Sequence, residues 1–126
     1  MSWEDNCREE NKMEKIKKNF GFGCMRLPMK DGEVDTKETC RMVDAFLENG
    51  FTYFDTAHGY LNGKSEGALK TCLTSRYPRD RYILTDKLTN FFFKKQEDIR
   101  PLFQSQLEAC DVDYFDFYLM HAQGAD

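Results

Sequence analysis

Histidine, tryptophan and proline are scarce in this sequence, with two, one and three copies respectively. The two histidines, His58 and His121, lie in different segments and make a poor metal site, because zinc centres draw on clustered His, Cys and carboxylate ligands. The five cysteines (Cys7, Cys24, Cys40, Cys72 and Cys110) are odd in number, widely spaced and never arranged as C-x-x-C. That pattern argues against a disulfide framework and against a zinc or iron–sulfur site within the chain. No apolar run approaches the roughly 20 residues of a membrane-spanning helix. The opening segment MSWEDNCREENKMEKIKK lacks the apolar core of a signal peptide, so the reading is cytoplasmic. A net charge of −4 without clustered Lys and Arg offers no footprint for nucleic acid or an anionic membrane. The one basic run, Lys15, Lys17 and Lys18, sits among glutamates and reads as a solvated segment. A Gly21-x-Gly23 pair lacks the third glycine of a dinucleotide fingerprint, with Arg26 in its place and no helix start there.

What the chain does have is a repeat. Three runs rich in aromatic and β-branched residues, FTYFD from Phe51, YILTDK from Tyr82 and YFDFYLMH from Tyr114, have strand character, and a weaker one, FGFGCM, begins at Phe20. Their starts are 31, 31 and 32 residues apart. Helical patterns fill the intervals. Asp35 with Glu38 begins one, carrying Cys40, Val43, Phe46 and Leu47 on a single face and stopping at Asn49-Gly50. Ser65 is placed to cap a second, with Leu69, Cys72 and Leu73 inward, ending before the turn YPRD. A third spans about Asp98 to Cys110, with Ile99, Phe103, Leu107 and Cys110 on its face and Pro101 in its first turn. Cys40, Cys72 and Cys110 are thereby small, reduced core residues.

Strand and helix alternating at about 31 residues predicts successive βαβ units and a parallel sheet. A (β/α)₈ barrel of about 250 residues divides into units of that length, so the spacing favours an α/β barrel over an open doubly wound sheet. Four strands make at most half of such a barrel. The expected division is a charged tail over residues 1–18 and four strand–helix units over residues 19–126.

The segment YFDTAHGY brings Asp55, His58 and Tyr60 together at the end of the second strand. Lys87 ends the third strand and His121 the fourth. In a parallel barrel these positions share the C-terminal rim, where such folds build active sites. Alternation places Ile83, Thr85 and Lys87 on one face of their strand and Phe117, Leu119 and His121 on one face of theirs; with both faces inward the polar groups converge, and Asp86 turns away from Lys87. Taken singly, a strand-end Asp, Lys or His is ordinarily a turn, edge or packing residue. Four at the matching ends of successive units point instead to acid–base chemistry on a small polar group. A phenol ordinarily titrates near pH 10, and an adjacent ammonium favours its ionised form. Lys87 is therefore placed to tune Tyr60, with Asp55 keeping the lysine charged and His121 orienting a carbonyl. His58 reads as a local turn residue. Phe91 to Phe93 either wall an apolar pocket or pack a long loop on the rim.

At these residues the sequence resembles the aldo/keto reductase family: YFDTAHGY, ILTDKL and YFDFYLMHAQ are similar to its Asp, Tyr, Lys and His segments in order and spacing, and GFGCMRLP to its first strand. The resemblance runs from about Phe20 to Gln123. It implies Tyr60 as general acid, Lys87 and Asp55 as its tuning pair and His121 as the orienting group. The implied reaction is hydride transfer between NADP(H) and an aldehyde or ketone. Met25 and Arg26 would lie near the nicotinamide ribose. The family grips the remote phosphates mainly with its second half-barrel, so most of the cofactor site is expected outside this chain. Members with a similar opening often carry a C-terminal iron–sulfur domain. Asp86 departs from the family's usual segment by adding a second carboxylate beside the lysine.

A half-barrel leaves its outer strands unpaired and an inner face, including Phe115, Phe117 and Leu119, open to water. The sequence thus predicts a truncated fragment, inactive alone, that self-associates edge to edge or is only partly folded. The alternative is a non-catalytic half-barrel that serves as an assembly or cofactor-sensing module.

Overall fold

Aromatic and β-branched residues of the repeat build a parallel sheet in the computed structural model, which describes residues 19–122. The charged tail expected over residues 1–18, its basic run included, lies outside the described residues, as do residues 123–126. The strands are β1 (Gly21–Gly23), β4 (Tyr53–Asp55), β5 (Ile83–Thr89) and β6 (Phe117–His121), in spatial order β1-β4-β5-β6, all parallel. Helices α1 (Thr36–Glu48), α2 (Lys64–Leu69) and α3 (Ile99–Cys110) lie in the three crossovers, and a π turn over Lys70–Thr74 extends α2. The expected four-unit α/β arrangement is present. Each strand is shorter at its start than the apolar run that encodes it. In β6 the reason is Asp116, whose side chain takes the Leu84 N–H at 2.8 Å and an Arg79 guanidinium N–H at 2.8 Å, so the chain is still turning there.

A two-stranded hairpin precedes α1: β2 (Met29–Lys30) pairs antiparallel with β3 (Glu33–Val34). Asp31 and Gly32 form its turn with φ of 54° and 80°. Asp-Gly is the sequence signal for two consecutive left-handed positions.

Asp35 caps α1, its Oδ1 accepting from the Glu38 N–H at 3.2 Å. Ser65 does not cap α2: Gly63 holds that position with φ 87°. Ser65 is instead buried, donating to the Cys24 carbonyl at 2.9 Å and bonded to the Thr56 hydroxyl at 2.7 Å, so it ties the loops after β1 and β4 together. Helix α3 is turned by one position from the expected face. Leu102, Gln106 and Cys110 are buried, whereas Ile99, Phe103 and Leu107 are half-buried. The buried amide of Gln106 accounts for the rotation, since it is bonded to both β5 and β6.

The core lies between the sheet and its helices. Phe54, Leu84, Leu69, Leu73, Val43, Cys72 and Cys110 are essentially inaccessible, and Phe54 packs against the rings of Phe22 and Phe46. Phe115 also belongs to this side, against Phe103 and Tyr118, which corrects its expected place on the inner face. The inner face carries Tyr53, Thr85 and Phe117, with Leu119 44% exposed. Truncating Phe54 to alanine removes the ring at the centre of the helix-side layer. A loss of about 3–5 kcal/mol is expected, read as a lower urea midpoint at unchanged slope.

Candidate active site

Register fixes the site. Gly23, Asp55, Thr85 and Phe117 stand level across the four strands, and β5 and β6 continue by four residues to the level pair Thr89 and His121. Asp55 therefore ends its strand one inward-facing position below Lys87. The Lys87 ammonium donates to Asp55 Oδ2 at 2.8 Å and to the Thr56 carbonyl at 2.8 Å. Every residue of β5 is buried, Lys87 included at 8% exposure, so its charge is held almost out of water. Burial alone works to lower the lysine pKa; the Asp55 carboxylate, followed by the Tyr60 phenol, outweighs it, and the net shift is upward.

Tyr60 reaches this group from the loop after β4. The loop closes through Leu61, Asn62 and Gly63, with φ of 54°, 55° and 87°. Leucine at a left-handed φ is strained, and such positions persist where surrounding contacts over-determine them. The turn brings the Tyr60 ring under the Lys87 ammonium, 4.7 Å from the ring centroid, and edge-on to His121 at 6.0 Å between centroids. His121 Nδ1 is bonded to Thr89 Oγ1 at 2.9 Å, which sets the ring's orientation from β5. Asp55, Tyr60, Lys87 and His121 thus converge at one rim.

Met25 and Arg26 lie beyond the end of β1, both exposed. Arg26 borders a groove of about 520 Å³ with Phe22, Leu27, Arg41 and Phe46, on the helix side of β1 and apart from the quartet. His58 is a turn residue with a partner: Nδ1 lies 2.8 Å from Glu66 Oε1, and Phe92 packs edge-on against its ring at 4.9 Å. A Cβ on Gly59 would stand 3.0 Å from the tip of the same Phe92 ring, so a larger residue there would push the ring aside. Phe92 packs the third βα loop against the second, while Phe91 stands 81% exposed.

Sequence reasoning missed a second polar group, on the opposite face of β5. Asp86 does face away from Lys87, but into the helix layer, fully buried with Glu66 and Cys110. Alternation fixes that face; the partners come from two other helices and carry no local signal.

The family model described as the aldo/keto reductase family matches residues 19–126. Among similar proteins, the 4-dihydromethyl-trisporate dehydrogenase of Mucor mucedo is 35% identical over 80% of this chain and 30% of its own length. The NAD(P)H-dependent D-xylose reductase of Pachysolen tannophilus is 35% identical over 81% of this chain and 30% of its own. An aldo-keto reductase of Klebsiella pneumoniae solved with NADPH superposes with a TM-score of 0.69 at 25% identity, over 84% of this chain and 36% of that one. The chain spans about a third of the length of the curated relatives it matches.

Replacing Asp55 with asparagine removes the strongest counterweight to burial at Lys87. The Lys87 ammonium, followed by ¹⁵N-detected NMR titration, should then lose its proton at a lower pH than in the parent protein.

Proposed function

This chain belongs to the aldo/keto reductase family, and we propose on that premise that it carries the proton-donating centre of an NADP(H)-dependent carbonyl reductase. The observation that supports the reading above all is the packing of the Lys87 ammonium between Asp55 Oδ2 and the Tyr60 ring. Tyr60 is the general acid. As its proton passes to the carbonyl oxygen of an aldehyde or ketone, the adjacent ammonium stabilises the phenolate left behind. Asp55 keeps that ammonium charged and fixed, since a lone buried lysine tends to lose its proton. His121, held by Thr89, orients the carbonyl oxygen toward Tyr60.

The half-exposed Asp55 carboxylate and the exposed Met25 at the mouth of β1 suit the ribose and nicotinamide end of the cofactor. Arg26, by its place in the groove, is the less direct neighbour. NADPH bound at this rim would supply the hydride. Among the described residues the group close enough to hold a metal brings one cysteine, Cys110, together with two carboxylates, whereas an iron–sulfur cluster takes four thiolates.

The open edges support a second statement about the 126-residue chain by itself. Strands β1 and β6 each pair on one side only, and Leu119 and Met120 on β6 are 44% and 68% exposed. Such an edge is a template for another strand. We infer that the isolated chain self-associates through these edges and binds NADPH weakly. A monomer in sedimentation velocity, together with micromolar NADPH affinity by fluorescence titration, would overturn that statement.

In an assembly that reduces carbonyls, Tyr60→Phe should lower kcat by about 10²-fold or more while leaving cofactor affinity nearly unchanged. Unchanged turnover would remove Tyr60 from the role of acid.

A further inference from the structure

Behind Lys87, on the helix side of β5, lies a polar cluster that the proton-donating centre does not use. Asp86 and Glu66 are buried at 0% and 1% exposure, and ligand atoms of Asp86, Glu66 and Cys110 all lie within 4.8 Å of one another. Asp86 Oδ1 accepts from the Lys87 backbone N–H at 2.8 Å. The Lys87 carbonyl accepts from Gln106 Nε2 at 3.0 Å, and Gln106 Oε1 accepts in turn from the Tyr118 hydroxyl. Both polar groups of the Lys87 peptide unit positions are thus held from the helix side. Glu66 Oε1 faces His58 Nδ1 at 2.8 Å, but Glu66 Oε2 is buried with no donor. Glu66 lies against the Asp86 carboxyl and the Gln106 side chain.

Two ionised carboxylates in contact, out of water, repel and lack solvation; a single proton between them converts the repulsion into a hydrogen bond and gives Glu66 Oε2 its missing donor. We propose that Glu66 and Asp86 share one proton at neutral pH, and that this pair, with Gln106, positions Lys87 by clamping its backbone. His58, 30% exposed at the side chain, is the contact between the pair and the surface. The functional consequence rests on the role given to Lys87 above; the shared proton does not.

The titratable groups near Asp86 are Glu66 from α2, Cys110 from α3, Tyr118 from β6, Cys24 from the loop after β1 and, across its own strand, Lys87, whose ammonium lies on the opposite face. Burial first, and Glu66 second, raise the Asp86 carboxyl from its ordinary 3.8 to about 9, with Lys87 opposing. Between those values the folded chain binds more protons than the unfolded one, so this group's contribution to stability falls as pH rises from about 4 to about 9.

Infrared spectroscopy of the 126-residue chain in deuterium oxide tests the proton directly. At neutral pH the unaltered chain should show the carbonyl stretch of one protonated carboxyl, disappearing near pH 9; Glu66→Gln, which removes the second cause but not the burial, should move that disappearance to lower pH, and the Glu66→Gln/Asp86→Asn double variant should lack the band. Absence of the band from the unaltered chain overturns the proposal without need of any variant, and an unmoved band in Glu66→Gln or its persistence in the double variant does the same. Asp86→Asn should also flatten the decline in melting temperature between pH 6 and 9, which loss of an ordinary hydrogen bond would not do. For the clamp, Asp86→Ala should lower the hydrogen-exchange protection of the Lys87 backbone N–H at neutral pH, and Asp86→Asn, which keeps an acceptor for that N–H, should restore it. Unchanged protection in Asp86→Ala removes the positioning role. A chain that shows the band but supports no carbonyl reduction refutes the catalytic reading and leaves the shared proton standing.

Discussion

The contact between the Lys87 ammonium and Asp55 is the constraint around which the sheet is arranged. Strand β5 is buried along its whole length, as the central strand of a parallel sheet is, and it nevertheless carries a full positive charge. A cation in that position is tolerated only with its partners in place, and they come from the neighbouring strand and the loop that continues it: Asp55 Oδ2 and the Thr56 carbonyl. The β4–β5 register, with Asp55 opposite Thr85, is therefore tied to an electrostatic need as well as to the hydrogen-bond ladder. A slip of one residue would turn Lys87 into the helix layer and Asp86 onto the rim.

The loops around the rim are fixed by the same economy of buried polar groups. Thr56 contributes its carbonyl to Lys87, its N–H to the Thr85 carbonyl and its hydroxyl to Ser65, and Ser65 passes on to the Cys24 carbonyl. One chain of hydrogen bonds thus joins the ends of β1, β4 and β5. The left-handed Leu61–Gly63 turn, which carries Tyr60 to Lys87, leaves this anchored segment and returns to it through α2. Its strain is sustained because both of its ends are held.

Much of this was legible in the residues. The 31-residue spacing and period-two alternation located Asp55, Lys87 and His121 at one rim and turned Asp86 to the other face, because these depend only on strand geometry. Asp35 was legible as a cap because capping is local. What stayed hidden depends on contacts distant in sequence. Ser65 has the residue type of a cap, but Cys24 and Thr56 claim its hydroxyl. The face of α3 follows Gln106, a polar residue that patterning assigns to solvent and that Lys87 and Tyr118 draw inward. Phe115 sits by alternation on the inner face, yet Asp116 delays the start of β6 and leaves Phe115 free to join the helix-side aromatics. Leu61 has no residue-type signal for a left-handed turn at all.

The four rim residues are not equally fixed. Asp55 and Lys87 lie on strands paired on both sides, whereas His121 ends an edge strand paired only with β5. Its ring is held to the sheet by Thr89, the last residue of β5, so His121 inherits its position from the strand that carries Lys87. The twist of β6 still depends on what pairs with its outer edge, because an unpaired strand adopts its own right-handed coil. The Tyr60–Lys87–Asp55 contact is therefore assembled by contacts internal to this sheet, while the angle at which His121 presents its ring answers to the neighbour of β6. A strand added at that edge would act on His121 first and on the Tyr60–Lys87–Asp55 contact last.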